Sequence, residues 1–253
     1  MNIDLSCDLG EAIDAPSLAV EAAIWPLITS SNIACGGHVG DDDSMRRSVR
    51  LALQHGVLIG AHPSYPDREH FGRKSMQLDS ATLATALDEQ LSALSRIINE
   101  EGGDLSHVKP HGALYNDAHH DLEVARIIVA ICLERQLALV ASPGSAVERE
   151  AHRAGCSVIR EGFADRRYRS DGSLQPRSEA GALILDFDEA VAQALLLATH
   201  QTVIASDGSE IELPCQTICV HSDMPGAPER LTRIRAVLLA GGVTPSRRGS
   251  ACG

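Results

Sequence analysis

The feature that most constrains this chain is a regular alternation of short apolar runs with longer amphipathic ones. Seven runs have the apolar and β-branched composition of strands: 3–8, 29–34, 57–62, 107–111, 137–141, 157–162 and 217–221. Six runs between them have the i, i+3, i+4 spacing of helices with one buried face: 43–55, 80–100, 121–134, 145–154, 188–199 and 227–240. Strands joined through helices pair in parallel, so the alternation predicts an α/β fold.

The length of 253 residues suits one large α/β domain, and no low-complexity linker divides the chain. We therefore predict a single domain over residues 1–243, either an α/β sheet or an incomplete (β/α) barrel. Two alternating runs flank Asp207-Gly208 and predict a small β-hairpin at 202–213. The remaining residues, 244–253, are expected to form a frayed tail.

Charge and hydropathy exclude several classes of partner. The formal net charge is −12 and no basic run is longer than a pair, which argues against nucleic acid and anionic membranes. The chain has no apolar stretch of about 18 residues, and its first residues lack the apolar core of a signal peptide. The seven cysteines form no CxxC pair, as expected in a reducing compartment. We expect a cytoplasmic protein with a small-molecule substrate.

Polar side chains recur at the carboxyl ends of six predicted strands. They are Asp8 and Glu11, Asn32 and His38, His62, Lys109 and His111, Glu161 and Asp165, and His221 and Asp223. One such residue alone would be explained as a helix cap or a buried structural group. The carboxyl ends of parallel strands open on one face, where α/β folds build their sites. The coincidence at six strands therefore predicts a functional cleft.

Two features near these strand ends stand out. The chain has only two lysines against twenty arginines, and one of them, Lys109, lies among apolar residues. A compact cation at such a position is expected either in a functional site or in a buried salt bridge. The turn around His38 is rich in glycine, which lets the backbone approach a ligand closely. The helix that follows begins near Asp41 and could bind an anionic group at its N-terminus.

Three chemistries could use these residues. Carboxylates and histidines could hold a divalent metal that activates water, or they could act without metal as general acid and base around a carbonyl. A thiolate at Cys35 is the third alternative. The sequence has no HExxH, HxH or paired-cysteine metal motif, and neither of the common nucleotide-binding glycine motifs.

Seven sequence blocks resemble the LamB/YcsF family over about residues 2–241. They are DLSCDLGE (4–11), SNIACGGHVGD (31–41), IGAHPSYPD (59–67) with FGR (71–73), VKPHGALYN (108–116), EGFADRRY (161–168), LQPRSE (174–179) and CVHSDMPGA (219–227). Two positions depart from the family pattern, since Ser6 replaces an asparagine and Ser222 replaces a glycine.

The resemblance implies an incomplete seven-stranded (β/α) barrel of the glycoside hydrolase/deacetylase type. It also implies one component of an ATP-dependent 5-oxoprolinase, which opens the lactam of 5-oxoproline to L-glutamate together with 5-oxoprolinase subunits B and C. ATP is then the expected cofactor, and a divalent metal is possible.

Roles for the site residues follow as hypotheses. Asp8, His38 and His62 are candidates for the base or for metal ligation, and Lys109 and His111 for offsetting charge on oxygen. Arg73 or Arg166 would hold the substrate carboxylate. The other expected substrate contacts are Glu11, Asn32, Gly37, Tyr115, Glu161, Asp165, His221 and Asp223. The alternatives are a stand-alone metal-dependent deacetylase or amidohydrolase and a non-catalytic ligand-binding subunit.

Overall fold

Seven parallel strands form a closed barrel in the computed structural model, which describes residues 1–247. The strands are β1 (Asn2–Leu9), β2 (Ser30–Ala34), β3 (Leu58–His62), β4 (Leu105–Val108), β5 (Ala138–Ala141), β6 (Val158–Phe163) and β9 (Thr217–Cys219). Each pairs in parallel with the next, and β9 pairs with both β6 and β1, which closes the barrel. The predicted incomplete seven-stranded (β/α) barrel is confirmed.

Eight α-helices accompany the strands of the described region. They are α1 (Ala15–Ile24), α2 (Asp42–His55), α3 (Ser80–Glu100), α4 (Gly112–His120), α5 (Leu122–Glu134), α6 (Ala146–Ala154), α7 (Phe187–Thr199) and α8 (Ala227–Ala240). The six predicted helices agree with the structure to within one residue at each end. The sequence analysis missed α1 and α4. Only two residues of α1 are buried, so it lacks an apolar stripe, and α4 begins directly after a strand-end motif that looks like a loop.

The interior of the barrel is polar along β1. Asp4, Ser6 and Asp8 are all buried on the same side of this strand, because side chains alternate with a period of two. Asp4 accepts hydrogen bonds from the hydroxyls of Thr29 and Ser30, each at 2.6 Å. This polar lining ends at Asp8, where the barrel opens.

Two remaining elements lie outside the barrel wall. β7 (Thr202–Ile204) and β8 (Glu210–Glu212) pair antiparallel around Asp207-Gly208. The short strand β10 (Thr244–Pro245) pairs in parallel with the start of β1, and Thr244 N donates to Met1 O at 2.8 Å. The prediction of a frayed tail from residue 244 is therefore wrong at its start, because β1 offers these residues unpaired backbone groups. The predicted tail residues 248–253 lie outside the described residues.

Within residues 1–247, none of the helices combines the length and the apolar character that crossing a membrane would require.

Candidate active site

A cavity of about 410 Å³ opens at the carboxyl ends of the barrel strands. Ten of the predicted site residues line it: Asp8, Glu11, His62, Arg73, Lys109, His111, Tyr115, Arg166, His221 and Asp223. The other five lie outside this lining, and they are Asn32, Gly37, His38, Glu161 and Asp165. Side chains that are far apart in the sequence therefore meet at one mouth, as the parallel strand order requires.

Lys109 is the buried cation of the cavity floor. Its Nζ lies 2.8 Å from Asp8 Oδ1, 2.9 Å from Glu161 Oε1 and 3.2 Å from Cys219 Sγ. Burial alone would lower the pKa of Lys109, but Asp8, the Cys219 sulfur and Glu161 hold it well above its usual value. Lys109 is therefore protonated at neutral pH. It forms a buried salt bridge and lines the cavity at the same time, so the two interpretations of this lysine are compatible.

Asp8 is held as an ionised acceptor beside this lysine. Its Oδ1 accepts from Lys109 Nζ and, at 2.8 Å, from Asn32 Nδ2, while Oδ2 lies 3.3 Å from His62 Nε2. Burial would raise the pKa of Asp8, but His62 and Lys109 hold it well below its usual value. Asn32 is itself fixed by His107, whose Nε2 lies 2.9 Å from Asn32 Oδ1. Asn32 thus positions Asp8 and does not reach the cavity.

The tautomers of two histidines follow from their backbone partners. His62 Nδ1 lies 2.8 Å from the carbonyl oxygen of Lys109, and His111 Nε2 lies 3.0 Å from the carbonyl oxygen of Phe71. A carbonyl only accepts, so each of these ring nitrogens carries the hydrogen. The other two nitrogens, His62 Nε2 and His111 Nδ1, face each other at 2.9 Å. In their neutral forms both present a lone pair to the same point, so a metal ion or a shared proton must lie between them. A shared proton would make His62 the positively charged neighbour of Asp8.

The FGR block explains how His111 is oriented. Phe71 and Gly72 have φ angles of 55° and 62°, so two successive residues adopt the left-handed conformation. This turn directs the Phe71 carbonyl at His111. A Cβ at Gly72 would lie 3.0 Å from His38 Cβ and 3.1 Å from His111 Cδ2, so a larger residue would crowd both rings.

Glu11 completes the cluster from the loop after β1. Its Oε1 lies 2.9 Å from His38 Nε2 and 3.5 Å from His111 Nδ1. Its backbone N–H donates to Glu21 Oε1 at 2.8 Å, which fixes the loop on α1. The His38 ring stacks on that of His111 with centroids 3.7 Å apart, and burial lowers the pKa of His38 to about 2. His38 therefore helps to fix the positions of Glu11, through its Nε2, and of His111, through ring stacking.

Glu11, His62 and His111 fit a divalent metal. Their ligand atoms are separated by 2.9 Å, 3.5 Å and 4.0 Å, which brackets the separation of about 3.3 Å between ligands of a tetrahedral zinc ion. Each histidine donates its other ring N–H to a backbone carbonyl, the usual arrangement behind a metal-binding imidazole. This set differs from the predicted candidates Asp8, His38 and His62, because the loop after β1 brings Glu11, and not His38, to the two bare nitrogens.

A second imidazole reaches the cavity from the end of β9. His221 Nδ1 and the His221 backbone N–H both donate to the buried carboxylate of Asp165, each at 2.8 Å. The Nε2 side of this ring therefore remains for the cavity that His221 lines. Its ring also stacks on Phe163, with centroids 5.4 Å apart and planes at 11°. Asp165 thus orients His221 without entering the cavity.

Asp165 should make folding sensitive to acid. Burial would raise the pKa of Asp165, but His221 holds it below the usual 3.8. The unfolded chain then takes up this proton first as the pH falls, so the stabilisation is present above about pH 4 and is lost below it. We expect the free energy of unfolding of Asp165→Asn, measured by urea denaturation, to fall less between pH 4 and pH 2 than that of the wild type. Asp43→Asn, which removes an exposed carboxyl on α2, is the control, and equal slopes for wild type and Asp165→Asn would contradict the assignment.

The outer part of the cavity carries three arginines. Arg73 Nη2 and Arg177 Nη1 lie 2.6 Å and 2.8 Å from the same oxygen, Asp223 Oδ2. Arg166 is buried at 5% exposure and donates to the Gln175 carbonyl at 2.7 Å. Tyr115 also lines the cavity, and its ring makes an edge-to-face contact with the ring of Phe163.

The glycine-rich turn is structural. Gly37 lies against the side chain of Gln90, and a Cβ there would overlap the amide. The N-terminus of α2 is capped by Asp41, which accepts from Ser44 N at 2.8 Å, so an anion bound at this helix would have to share its N–H groups with a carboxylate. Burial raises the pKa of Cys35 to about 12, which leaves a thiol and argues against the thiolate alternative.

The sequence analysis assigned no role to three residues that contribute to the site. Arg177 lies deep in a long loop, Glu21 lies on an undetected helix, and Ser222 donates from Oγ to the Asp8 carbonyl at 2.8 Å. The LQPRSE block already contained Arg177, so the resemblance was the one available signal for it. Ser222 also shows what the departure from glycine does here, since it ties the loop after β9 to the end of β1.

Comparisons with known proteins place the chain in a family and agree with its fold. The model of the LamB/YcsF family matches residues 3–250. The chain is 44% identical to the 5-oxoprolinase A-subunit of Symbiobacterium thermophilum over 250 residues, 98% of this chain and 96% of that protein. The corresponding protein of Methylococcus capsulatus is 44% identical over 249 residues, again 98% and 96% of the two chains.

Solved structures give the same result. The lactam utilization protein from Thermus thermophilus superposes with a TM-score of 0.89 at 40% identity, covering 97% of this chain and 99% of that one. A putative cellobiose-phosphate cleavage protein from Enterococcus faecalis shares the fold, with a TM-score of 0.60 at 13% identity and 98% of both chains covered. On the family match and the identity to its relatives, the chain belongs to the LamB/YcsF family.

Proposed function

We propose that this chain carries the site at which 5-oxoproline is hydrolysed to L-glutamate, as one subunit of an ATP-dependent 5-oxoprolinase. Relatives named as the A-subunit of 5-oxoprolinase are similar over nearly the whole chain, which supports a subunit role. The observation that carries the proposal is the cavity floor, where the Lys109 cation, the Asp8 carboxylate and two facing imidazole nitrogens meet. Hydrolysis of an amide needs an acceptor for the proton of water and positive charge near the carbonyl oxygen.

The substrate explains why ATP would be needed. A five-membered lactam is an unstrained, resonance-stabilised amide and therefore a poor electrophile. Transfer of the γ-phosphoryl group of ATP to the amide oxygen, with release of ADP, would make the ring carbon more electrophilic. Attack by water and cleavage of the carbon–nitrogen bond would then leave an acyl phosphate, which a second water molecule hydrolyses to L-glutamate and phosphate. The chain has neither of the common glycine-rich nucleotide motifs, so we place the ATP site in subunits B and C or at their boundary with this chain.

Each polar residue at the cavity floor has a separate role in the proposed reaction. Asp8 Oδ2 accepts the proton of the attacking water, because Asn32 bonds only Oδ1, while Oδ2 is approached by Lys109 Nζ at 3.1 Å and His62 Nε2 at 3.3 Å. Lys109 stays protonated and stabilises the negative charge of the phosphoryl group carried by the substrate oxygen. His221, oriented by Asp165, delivers a proton to the ring nitrogen as the carbon–nitrogen bond breaks.

The same floor fits a divalent metal held by Glu11, His62 and His111. When bound, such an ion polarises a carbonyl oxygen and lowers the pKa of a water molecule. His38 and Glu21 hold Glu11 in place for this role, one through its side chain and the other through its backbone.

This metal set also favours a second candidate, a metal-dependent amidohydrolase or deacetylase that needs neither ATP nor partners. It predicts turnover of a small acylated substrate by this chain alone. A third possibility is a subunit that binds the ligand without chemistry.

One experiment separates the three functions. Glutamate formation from 5-oxoproline is measured with this chain alone, with subunits B and C alone, and with all three, each with and without ATP. We expect turnover only with all three and ATP. ATP-independent release of acetate from an N-acetylated substrate by this chain alone would favour the amidohydrolase. Full turnover by subunits B and C alone would contradict a catalytic role for this chain.

A further inference from the structure

The outer part of the cavity has more positive than negative charge. Arg73 and Arg177 share the single carboxylate of Asp223. Asp165, the next carboxylate, is occupied by the ring and backbone of His221. Three guanidinium groups of this region, with Arg166 the third, therefore face two carboxylates, of which Asp165 is already hydrogen-bonded by His221. A surplus of this kind in a partly dry cavity favours an anionic ligand.

Arg166 is the least compensated of the three. Within residues 1–247, no carboxylate oxygen lies within 4.0 Å of its guanidinium, although the residue is only 5% exposed. Nη2 donates to the Gln175 carbonyl at 2.7 Å, and the buried Nε has no partner in the described part of the chain. Burial and the nearby Arg177 lower the pKa of Arg166 to about 10. Asp165 and Asp223 compensate this buried cation only at longer range, which is costly, so the position is suited to a ligand that brings a carboxylate into direct contact.

The cavity is thus polarised along its depth. Its floor presents the carboxylates of Asp8 and Glu11 with the bare imidazole nitrogens, and its outer part presents Arg166 and Arg177. A ligand that fits both ends has a carboxylate at one end and an amide carbonyl at the other.

We propose that Arg166 and Arg177 form the subsite for the substrate's carboxylate, and that this contact orients the amide toward Asp8 and Lys109. The proposal rests on the proposed function and deepens it, because it names the group that selects a carboxylated amide over a neutral one. Arg166 contacts the carboxylate from the cavity wall, and Arg177 adds a second guanidinium while remaining tied to Asp223. A planar guanidinium pairs with a carboxylate through two parallel hydrogen bonds, which gives direction as well as affinity.

The test pairs each variant with ligands that differ only by the carboxylate. Calorimetric binding to the full chain is measured for 5-oxoproline and 2-pyrrolidinone, and for the acyclic pair N-acetylglycine and N-methylacetamide. The variants are Arg166→Gln, Arg166→Lys and Arg177→Gln, with Arg233→Gln as the matched control. Arg233 is an exposed arginine on α8 that pairs with Glu229, away from the cavity.

We expect Arg166→Gln to weaken 5-oxoproline binding about 10- to 100-fold and 2-pyrrolidinone binding less than about twofold. Arg166→Lys keeps the charge but loses the paired hydrogen bonds, so its loss should be intermediate. Arg177→Gln should show the same selectivity with a smaller loss, and it keeps the test open if Arg166→Gln fails to fold. Arg233→Gln should leave the affinity for both ligands unchanged.

Equal losses for the acid and its neutral analogue, or no carboxylate preference in the wild type, would overturn the subsite. The acyclic pair separates this outcome from a failure of the proposed function. A carboxylate preference that depends on Arg166 with N-acetylglycine, but without binding of 5-oxoproline, would support the subsite and contradict the lactam as substrate.

Discussion

Lys109→Met is expected to reduce ATP-coupled turnover of 5-oxoproline by at least roughly 1,000-fold and to lower the free energy of unfolding by about 3–5 kcal/mol. The loss of activity follows because the cation to which we assign stabilisation of the charge on the substrate is removed. The loss of stability follows because Asp8 and Glu161 would remain buried without their shared counterion. Activity is measured in the complex with subunits B and C, and stability by urea denaturation of the chain alone.

Two further variants separate these two effects. Lys74→Met is the matched control, because Lys74 is the only other lysine and is exposed. Adding Glu161→Gln to Lys109→Met removes one of the stranded charges, so this double variant should regain part of the stability and none of the activity. Near-normal turnover in Lys109→Met would refute the role of Lys109 in the reaction.

Glu11→Gln and His62→Gln should each abolish stoichiometric metal binding. Wild-type chain loaded with Zn²⁺ and then desalted is expected to retain about one ion per chain, because three ligand atoms already lie at the separations of a tetrahedral site. Each variant should retain almost none by elemental analysis, and turnover in the complex should fall by at least roughly 100-fold. The expected loss is large because each residue supplies one of three ligands.

His70→Gln is the matched control for this pair. His70 Nδ1 lies 2.9 Å from Asp67 Oδ1, so it is also an imidazole beside a carboxylate, but it is more exposed and does not belong to the cluster of Glu11, His62 and His111. Its removal should leave metal content unchanged. A wild-type chain that retains no metal would indicate that a shared proton, and not an ion, separates His62 Nε2 from His111 Nδ1.

The sequence alone could predict the fold because its signal is repeated many times along the chain. Each strand and helix adds a local pattern, and the parallel order then places all strand ends on one face. Asp8 and Lys109 could be found for the same reason, since each lies at or next to the end of a strand. The missed helix α1 shows the limit of this signal, because it packs with only two buried residues.

The roles of the loop residues could not be predicted in the same way. Gly10 has a φ of 77° and turns the chain so that Glu11, and not His38, reaches the two facing nitrogens. Arg177 lies far from any strand end, and only the long loop after β6 brings it to Asp223. Such placements depend on single backbone angles and on loop packing, and neither produces a repeating pattern in the sequence.

The pairing of β1 with β9 has a consequence for how the molecule is made. The first strand of the chain finds its neighbour β2 early, but β9, which closes the barrel, is synthesised about 200 residues later. Until then the nascent sheet has two open edges, which are prone to pair with other chains. Asp8 and His221 also come together only at this last step, so the candidate active site is completed late in synthesis. Premature termination would therefore yield an inactive fragment that is prone to aggregate.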